Sequence, residues 1–169
     1  MVKSTKLVFL QPRSVENHNM KIYFAGPLFN EAERSFNRDL ARQLENGGFH
    51  VFLPQRDGVE ANKPPYDQMP REERRKAMFE LDRDKILDCD IFLFVLDGRI
   101  PDEGACVELG IAYTEKMIRG TKRFIIGLHT DSRAAFIKSK LNPMLKLCLD
   151  QLVESPEELL QSLERWSTA

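Results

Sequence analysis

One run constrains the fold more than any other: Asp90–Leu96, read DIFLFVL, is apolar at nearly every position. A strand with one wet face alternates polar and apolar residues. A strand covered on both faces does not, and such strands belong at the centre of parallel sheets. Neither this run nor any other apolar stretch approaches the roughly 20 residues of a membrane span. A central parallel strand requires crossover connections, so the flanking sequence should alternate β and α elements.

The alternation begins at Lys21. Lys21–Ala25 (KIYFA) is a compact β-rich run closed by Gly26-Pro27. The spacing of Ala32, Phe36, Leu40 and Leu44 predicts a helix over Glu31–Asn46, ended by Gly47-Gly48. Phe49–Leu53 (FHVFL) reads as the second strand, closed by Pro54. Asp57–Pro70 holds three prolines and a glycine and reads as a long loop, a class that often serves function. Arg71–Leu87 is helical, with Ala77, Met78 and Leu81 among the inward candidates. Gly104–Arg119 is the helix after the central strand, and Arg123–Leu128 (RFIIGL) the strand after that. Ser155, Pro156 and Glu158 supply the N-cap, first-turn proline and capping-box glutamate of a last helix, with Leu159, Leu163 and Trp166 as its apolar stripe. The expected class is α/β: an open, mostly parallel five-stranded sheet flanked by helices, Rossmann- or flavodoxin-like. Residues 1–19 stand apart as an N-terminal arm with one candidate strand, Lys6–Gln11 (KLVFLQ). Residues 20–169 form a single domain, a length that suits one core and is short for two.

Charge narrows the range of functions. The 25 basic residues nearly balance the 26 acidic ones, so no global field favours nucleic acid or an anionic membrane. The cluster of Arg71, Arg74, Arg75 and Lys76 is interrupted by Glu72 and Glu73 and reads as a solvated helix face. Cys89, Cys106 and Cys148 are odd in number and lack Cys-x-x-Cys spacing. With no signal-peptide pattern, they indicate reduced thiols in the cytoplasm. His18, His50 and His129 show no metal-ligand spacing with them.

In open parallel sheets, ligands sit beyond the carboxyl ends of the strands. Ala25-Gly26-Pro27-Leu28-Phe29 follows the first strand, and Gly26 there lets the backbone approach a ligand. It is not a Gly-x-Gly-x-x-Gly fingerprint, and no phosphate-loop motif occurs. Asp97 to Gly110 follow the central strand. Asp102 and Glu103 lie near a helix start, where acids are favoured in any case. Glu108 sits among Val107, Leu109, Ile111 and Ala112, and needs partners or a cleft unless it lies on an exposed stripe. Gly110 costs about 1 kcal/mol inside a helix, which makes sense if something must approach closely. Asp82 and Asp84, in FELDRDKILDCD, are individually as well explained by a charged helix face. Asp97-x-Arg99 lacks the second aspartate of an aspartyl-phosphate enzyme.

Taken together, YFAGPLF at 23–29, the helix of Asp82, the central strand and PDEGACVELG at 101–110 resemble the nucleoside 2-deoxyribosyltransferase family, over roughly residues 20–150. The resemblance implies transfer of 2-deoxyribose between nucleobases by a retaining double displacement through a covalent glycosyl-glutamate. It assigns Glu108 as nucleophile, Tyr23 as the hydroxyl that holds it, and Asp82 as the acid facing the base. Asp102 would hold the deoxyribose, while Gln55 and Phe29 would meet the base. Asn142-Pro143-Met144 resembles a segment that family members insert into a neighbouring subunit's site, so Asn142 and Met144 imply a homo-oligomer with shared sites. Nucleosides and free nucleobases are the implied partners, with no metal or organic cofactor. The serine-rich run of related deoxynucleoside monophosphate N-glycosidases is missing, which favours nucleosides, although Arg56 and Arg99 keep a phosphate in play. The alternatives are hydrolysis of deoxynucleosides or their 5′-monophosphates, and a nucleotide-sensing module without chemistry.

Overall fold

A computed structural model describes residues 19–98, 100–131 and 141–168. Apart from Asn19, the arm and its candidate strand Lys6–Gln11 lie outside the described residues, as does Arg99. Five parallel strands form one sheet in the order β2-β1-β3-β4-β5. They are β1 (Lys21–Ala25), β2 (His50–Phe52), β3 (Ile91–Val95), β4 (Phe124–Leu128) and β5 (Gln151–Val153). Among the described residues the helices are α1 (Glu31–Asn46), α2 (Pro54–Asp57), α3 (Arg71–Asp88), α4 (Glu103–Arg119), α5 (Pro143–Lys146) and α6 (Pro156–Ser167). The open parallel α/β sheet expected from the sequence is the observed fold, with the flavodoxin-like strand order.

The central run is apolar throughout because β3 is buried at all five positions. Ile91, Leu93 and Val95 enter the core shared with Leu40 and Leu44 of α1 and Leu159 and Leu163 of α6. Phe92 and Phe94 enter the opposite core, shared with Ile86 of α3 and Ala105, Leu109 and Ala112 of α4. β1 divides in the same way, Ile22 and Phe24 to the first core, Tyr23 and Ala25 to the second. Each large apolar side chain so covered contributes about 1.5–3 kcal/mol. The division also puts a tyrosine hydroxyl on the α3/α4 side of the sheet.

Helix ends follow their local chemistry. Asn30 caps α1 in a reciprocal box with Glu33, and Gly48 turns the chain out at φ +89°. Ser155 caps α6 by accepting from the Glu158 N–H at 3.2 Å. The Glu158 carboxylate reaches the Glu154 N–H at 3.0 Å, one residue before the cap expected to receive it.

Four features differ from expectation. β5 is three residues long at a sheet edge, with Leu152 partly exposed, and no apolar run announces it. Pro54–Asp57 forms a helical turn, α2, before the loop. Ala32 is exposed; Leu40 and Leu44 are buried as expected, joined by Asn37 and Ala41. Of α3 only Ile86 is buried; Ala77 and Leu81 are half-buried and Met78 is exposed. No helix among the described residues is long and apolar enough to cross a membrane.

Candidate active site

The strand order reverses between β1 and β3, and a doubly wound sheet opens a crevice at that point, beyond the carboxyl ends of the strands. A cleft of about 230 Å³ lies there. One wall is Ala25 to Phe29 after β1, and a second runs from Pro54 and Gln55 to Val59 and Glu60. Met78 and Asp82 of α3 and Asp102 and Glu108 of α4 complete it. Of the residues singled out in the sequence, Gly26, Phe29, Gln55, Asp82, Asp102 and Glu108 therefore converge. A larger hollow of about 780 Å³ follows the outer edge of β2, but there Lys21 and Asp88 pair with each other at 2.9 Å.

Tyr23 is fully buried, its ring stacked between Phe52 at 5.6 Å and Phe92 at 5.7 Å. Its hydroxyl donates to Glu108 Oε1 at 2.7 Å. Two layers of the fold thus meet in one hydrogen bond, with a strand supplying the donor and α4 the acceptor. Burial, then the Glu108 charge, push the Tyr23 pKa above its ordinary range, so it remains a donor. Burial pushes Glu108 up to about 7 against the opposing pull of the Tyr23 hydrogen bond, with the charges of Asp82 and Asp102 adding to the rise. Burial alone raises Asp82 to about 6. Two acids with pKa values near neutrality in one cleft are the raw material of proton transfer.

The remaining groups are set locally. Asp102 caps α4, its Oδ1 accepting from the Ala105 N–H at 2.8 Å, so the helix-start reading and the cleft position hold together. Gly26 lets the end of β1 pass close to β3: a Cβ there would lie 2.9 Å from Val95 Cβ. Gln55 Nε2 donates to Arg34 O at 2.8 Å while its Oε1 accepts from Asn37 at 3.1 Å. Phe29 stands at the rim, 73% exposed.

Three predicted site residues lie elsewhere. Gly110 is on the outer side of α4, beside Val107, Ile111 and Ile118, with open space where its Cβ would be. Successive helical residues turn by about 100°, so a residue two beyond Glu108 faces away from the cleft that Glu108 enters. The expectation that Gly110 admits a substrate is corrected accordingly. Asn142 and Met144 also do not line this chain's cleft. Asn142 caps α5 by accepting from the Met144 N–H at 2.9 Å, and Met144 is 77% exposed. Arg56 is committed as well, paired with Glu45 at 2.8 Å and Asp57 at 2.9 Å and donating to Val51 O. It does not line the cleft. Met78, one of the inward candidates, borders the cleft, and its i, i+4 relation to Asp82 is the sequence signal for that place.

The fold and cleft together define a doubly wound α/β protein whose switch-point crevice holds a tyrosine-bound carboxylate and a second raised acid. The model of the family "Nucleoside 2-deoxyribosyltransferase" matches residues 22–159, and the chain belongs to that family, which acts on nucleosides and nucleobases. It is similar to a conserved protein from Enterococcus faecalis V583 at 27% identity and TM-score 0.66, over 87% of this chain and 98% of that one. A 2-deoxyribosyltransferase from the psychrotolerant Bacillus psychrosaccharolyticus shares the fold at 23% identity and TM-score 0.67, over 83% and 90% of the two chains. No curated protein matches the sequence.

Proposed function

We propose that the protein transfers 2-deoxyribose between nucleobases through a covalent sugar–Glu108 ester. The observation that carries this reading is the 2.7 Å hydrogen bond from Tyr23 to Glu108 Oε1, in a cleft shared with Asp82. Tyr23 engages one carboxylate oxygen and orients the other for attack on the anomeric carbon. As the Oε2–C1′ bond forms, the bond from C1′ to the base nitrogen breaks, and its electron pair leaves with the base. The carboxyl proton of Asp82 goes to that base. A second base then attacks C1′, passes its own proton to Asp82, and releases the Glu108 carboxylate. Two inversions give retention.

Near neutrality the two acids hold about one proton between them. The reactive arrangement has the charge on Glu108 and the proton on Asp82. The Tyr23 hydrogen bond favours that arrangement, and burial of Glu108 opposes it. Asp102 Oδ2 takes a sugar hydroxyl, while Gln55, Phe29 and Met78 take the base. The position of Arg56 outside the cleft supports nucleoside rather than 5′-monophosphate donors. The cleft of about 230 Å³ is smaller than the roughly 300–1,000 Å³ of a complete small-molecule site. Its size supports completion by Asn142 and Met144 of a neighbouring copy.

Incubation with deoxyinosine and adenine should yield deoxyadenosine, with free sugar measured alongside to read hydrolysis. A 2-fluoro-2-deoxy nucleoside should leave a sugar adduct on Glu108 by mass spectrometry. The Glu108→Ala variant should do neither; full activity in it would overturn the assignment. Mixing inactive Glu108→Ala and Asn142→Ala chains should restore part of the activity if sites are shared between copies, and none if each chain is self-sufficient.

A further inference from the structure

We infer that Asn37 is a positioning residue that fixes which end of the Gln55 amide donates and which accepts, and so sets how the cleft discriminates amino-bearing from keto-bearing bases. Asn37 lies on the buried face of α1, only 2% exposed, among the apolar side chains that hold α1 to the sheet. A polar amide in that position needs partners, and it has them in both cleft walls. Its Nδ2 donates to Pro27 O at 2.9 Å and to Gln55 Oε1 at 3.1 Å.

The orientation of both amides follows from the partners. Pro27 O is a carbonyl and can only accept, so the Asn37 atom facing it must be the nitrogen. The same nitrogen meets Gln55, so Gln55 must present its oxygen there. At its other end Gln55 Nε2 donates to Arg34 O at 2.8 Å, again a group that only accepts. Turning the Gln55 amide over would set two oxygens together at Arg34 and two NH₂ groups together at Asn37. A glutamine held at one end flips readily to suit its ligand; this one is held at both. Arg34, three residues before Asn37 and so on the same helix side, also donates from Nη1 to Leu28 O at 3.2 Å. One side of α1 thereby clamps the loop after β1 and the turn after β2.

What Gln55 offers a ligand is its second N–H and its second oxygen lone pair, each at a fixed place. A base edge with the complementary order gains both contacts, and its amino/keto counterpart leaves one group facing its like. The inference rests on the proposed base exchange at this cleft, and the test separates the two. The kcat/KM for deoxyadenosine and deoxyinosine, which differ in the amino or keto group at one ring position, is measured for wild type, Asn37→Ala and Asn37→Leu. Asn37→Leu keeps the branched shape, removes the donor and buries no charge, so it serves if the alanine variant folds poorly. The ratio between the two donors should move by about three- to tenfold in each folded variant, the range of one hydrogen bond, chiefly through KM. Equal loss on both donors would reduce Asn37 to a scaffold residue and overturn the inference. If wild type turns over neither donor, base exchange fails instead. Calorimetric affinities for free adenine and hypoxanthine then still read the effect of Asn37: a moved ratio supports it, an unmoved one overturns it.

Discussion

Replacing Glu108 by glutamine should make the protein more stable, and by an amount that depends on pH. The carboxyl has an ordinary pKa of 4.5 in the unfolded chain and is pushed up to about 7 by burial in the folded one. Below about pH 4.5 both states hold the proton, and the group has no effect on the balance. From there to about pH 7 the unfolded chain gives up its proton while the folded chain keeps it, so stability falls as pH rises. The fall levels off once the folded carboxyl has also ionised. At about 1.4 kcal/mol per pH unit, the whole effect is about 3 kcal/mol. Glutamine has the same shape, still accepts from the Tyr23 hydroxyl, and does not titrate. The melting temperature of Glu108→Gln relative to wild type should therefore climb by roughly 6–12 °C between about pH 4.5 and pH 8, given about 2–4 °C per kcal/mol for a chain of this size. Titrating groups outside the cleft are common to both proteins and cancel. Thermal unfolding at a series of pH values is sufficient. A difference that stays flat with pH would mean that Glu108 ionises normally in the folded chain and that the cleft does not desolvate it.

Four further outcomes follow from the same geometry. The rate of base exchange should be bell-shaped in pH with its maximum near about 6.5: below about 6 neither acid is ionised, above about 7 no proton remains for the leaving base. Asp82→Asn should lower the rate and abolish the fall on the alkaline side, which a pH series on both proteins would show. Tyr23→Phe should lose about 10- to 150-fold in kcat, the range of a hydrogen bond to a charged group. It should also move the Glu108 limb to higher pH, because the hydroxyl holds that pKa down. Gly26→Ala should destabilise by about 1–3 kcal/mol in denaturant unfolding, since its Cβ would press on the Val95 side chain.

What is legible in the sequence follows a physical division. β1, β3 and α1 are readable because burial on both faces, or on one helical stripe, leaves its period in the chain, and because Gly47-Gly48 and Ser155-Pro156 mark helix ends where backbone groups need capping. β5 leaves no such mark: three residues at an edge bury too little to impose a pattern. The inward face of α3 misleads for the opposite reason. Its middle borders a cleft rather than a core, so Met78 and Asp82 share a face that is neither dry nor wholly wet. Gly110 shows the limit of reading residues by adjacency, because a neighbour in sequence to Glu108 is on the far side of the helix. Asn37 shows the converse. It falls on a helix face otherwise built of leucine and alanine, where a buried amide is costly without partners, and that local inconsistency is itself a signal. Its partners are 10 and 18 residues away, in two different cleft walls. Glu108 is anomalous in the same way, a carboxylate in an apolar stretch answered by a tyrosine 85 residues earlier. Both anomalies are visible in the chain; their answers lie across the sheet, in contacts that only the strand order brings together.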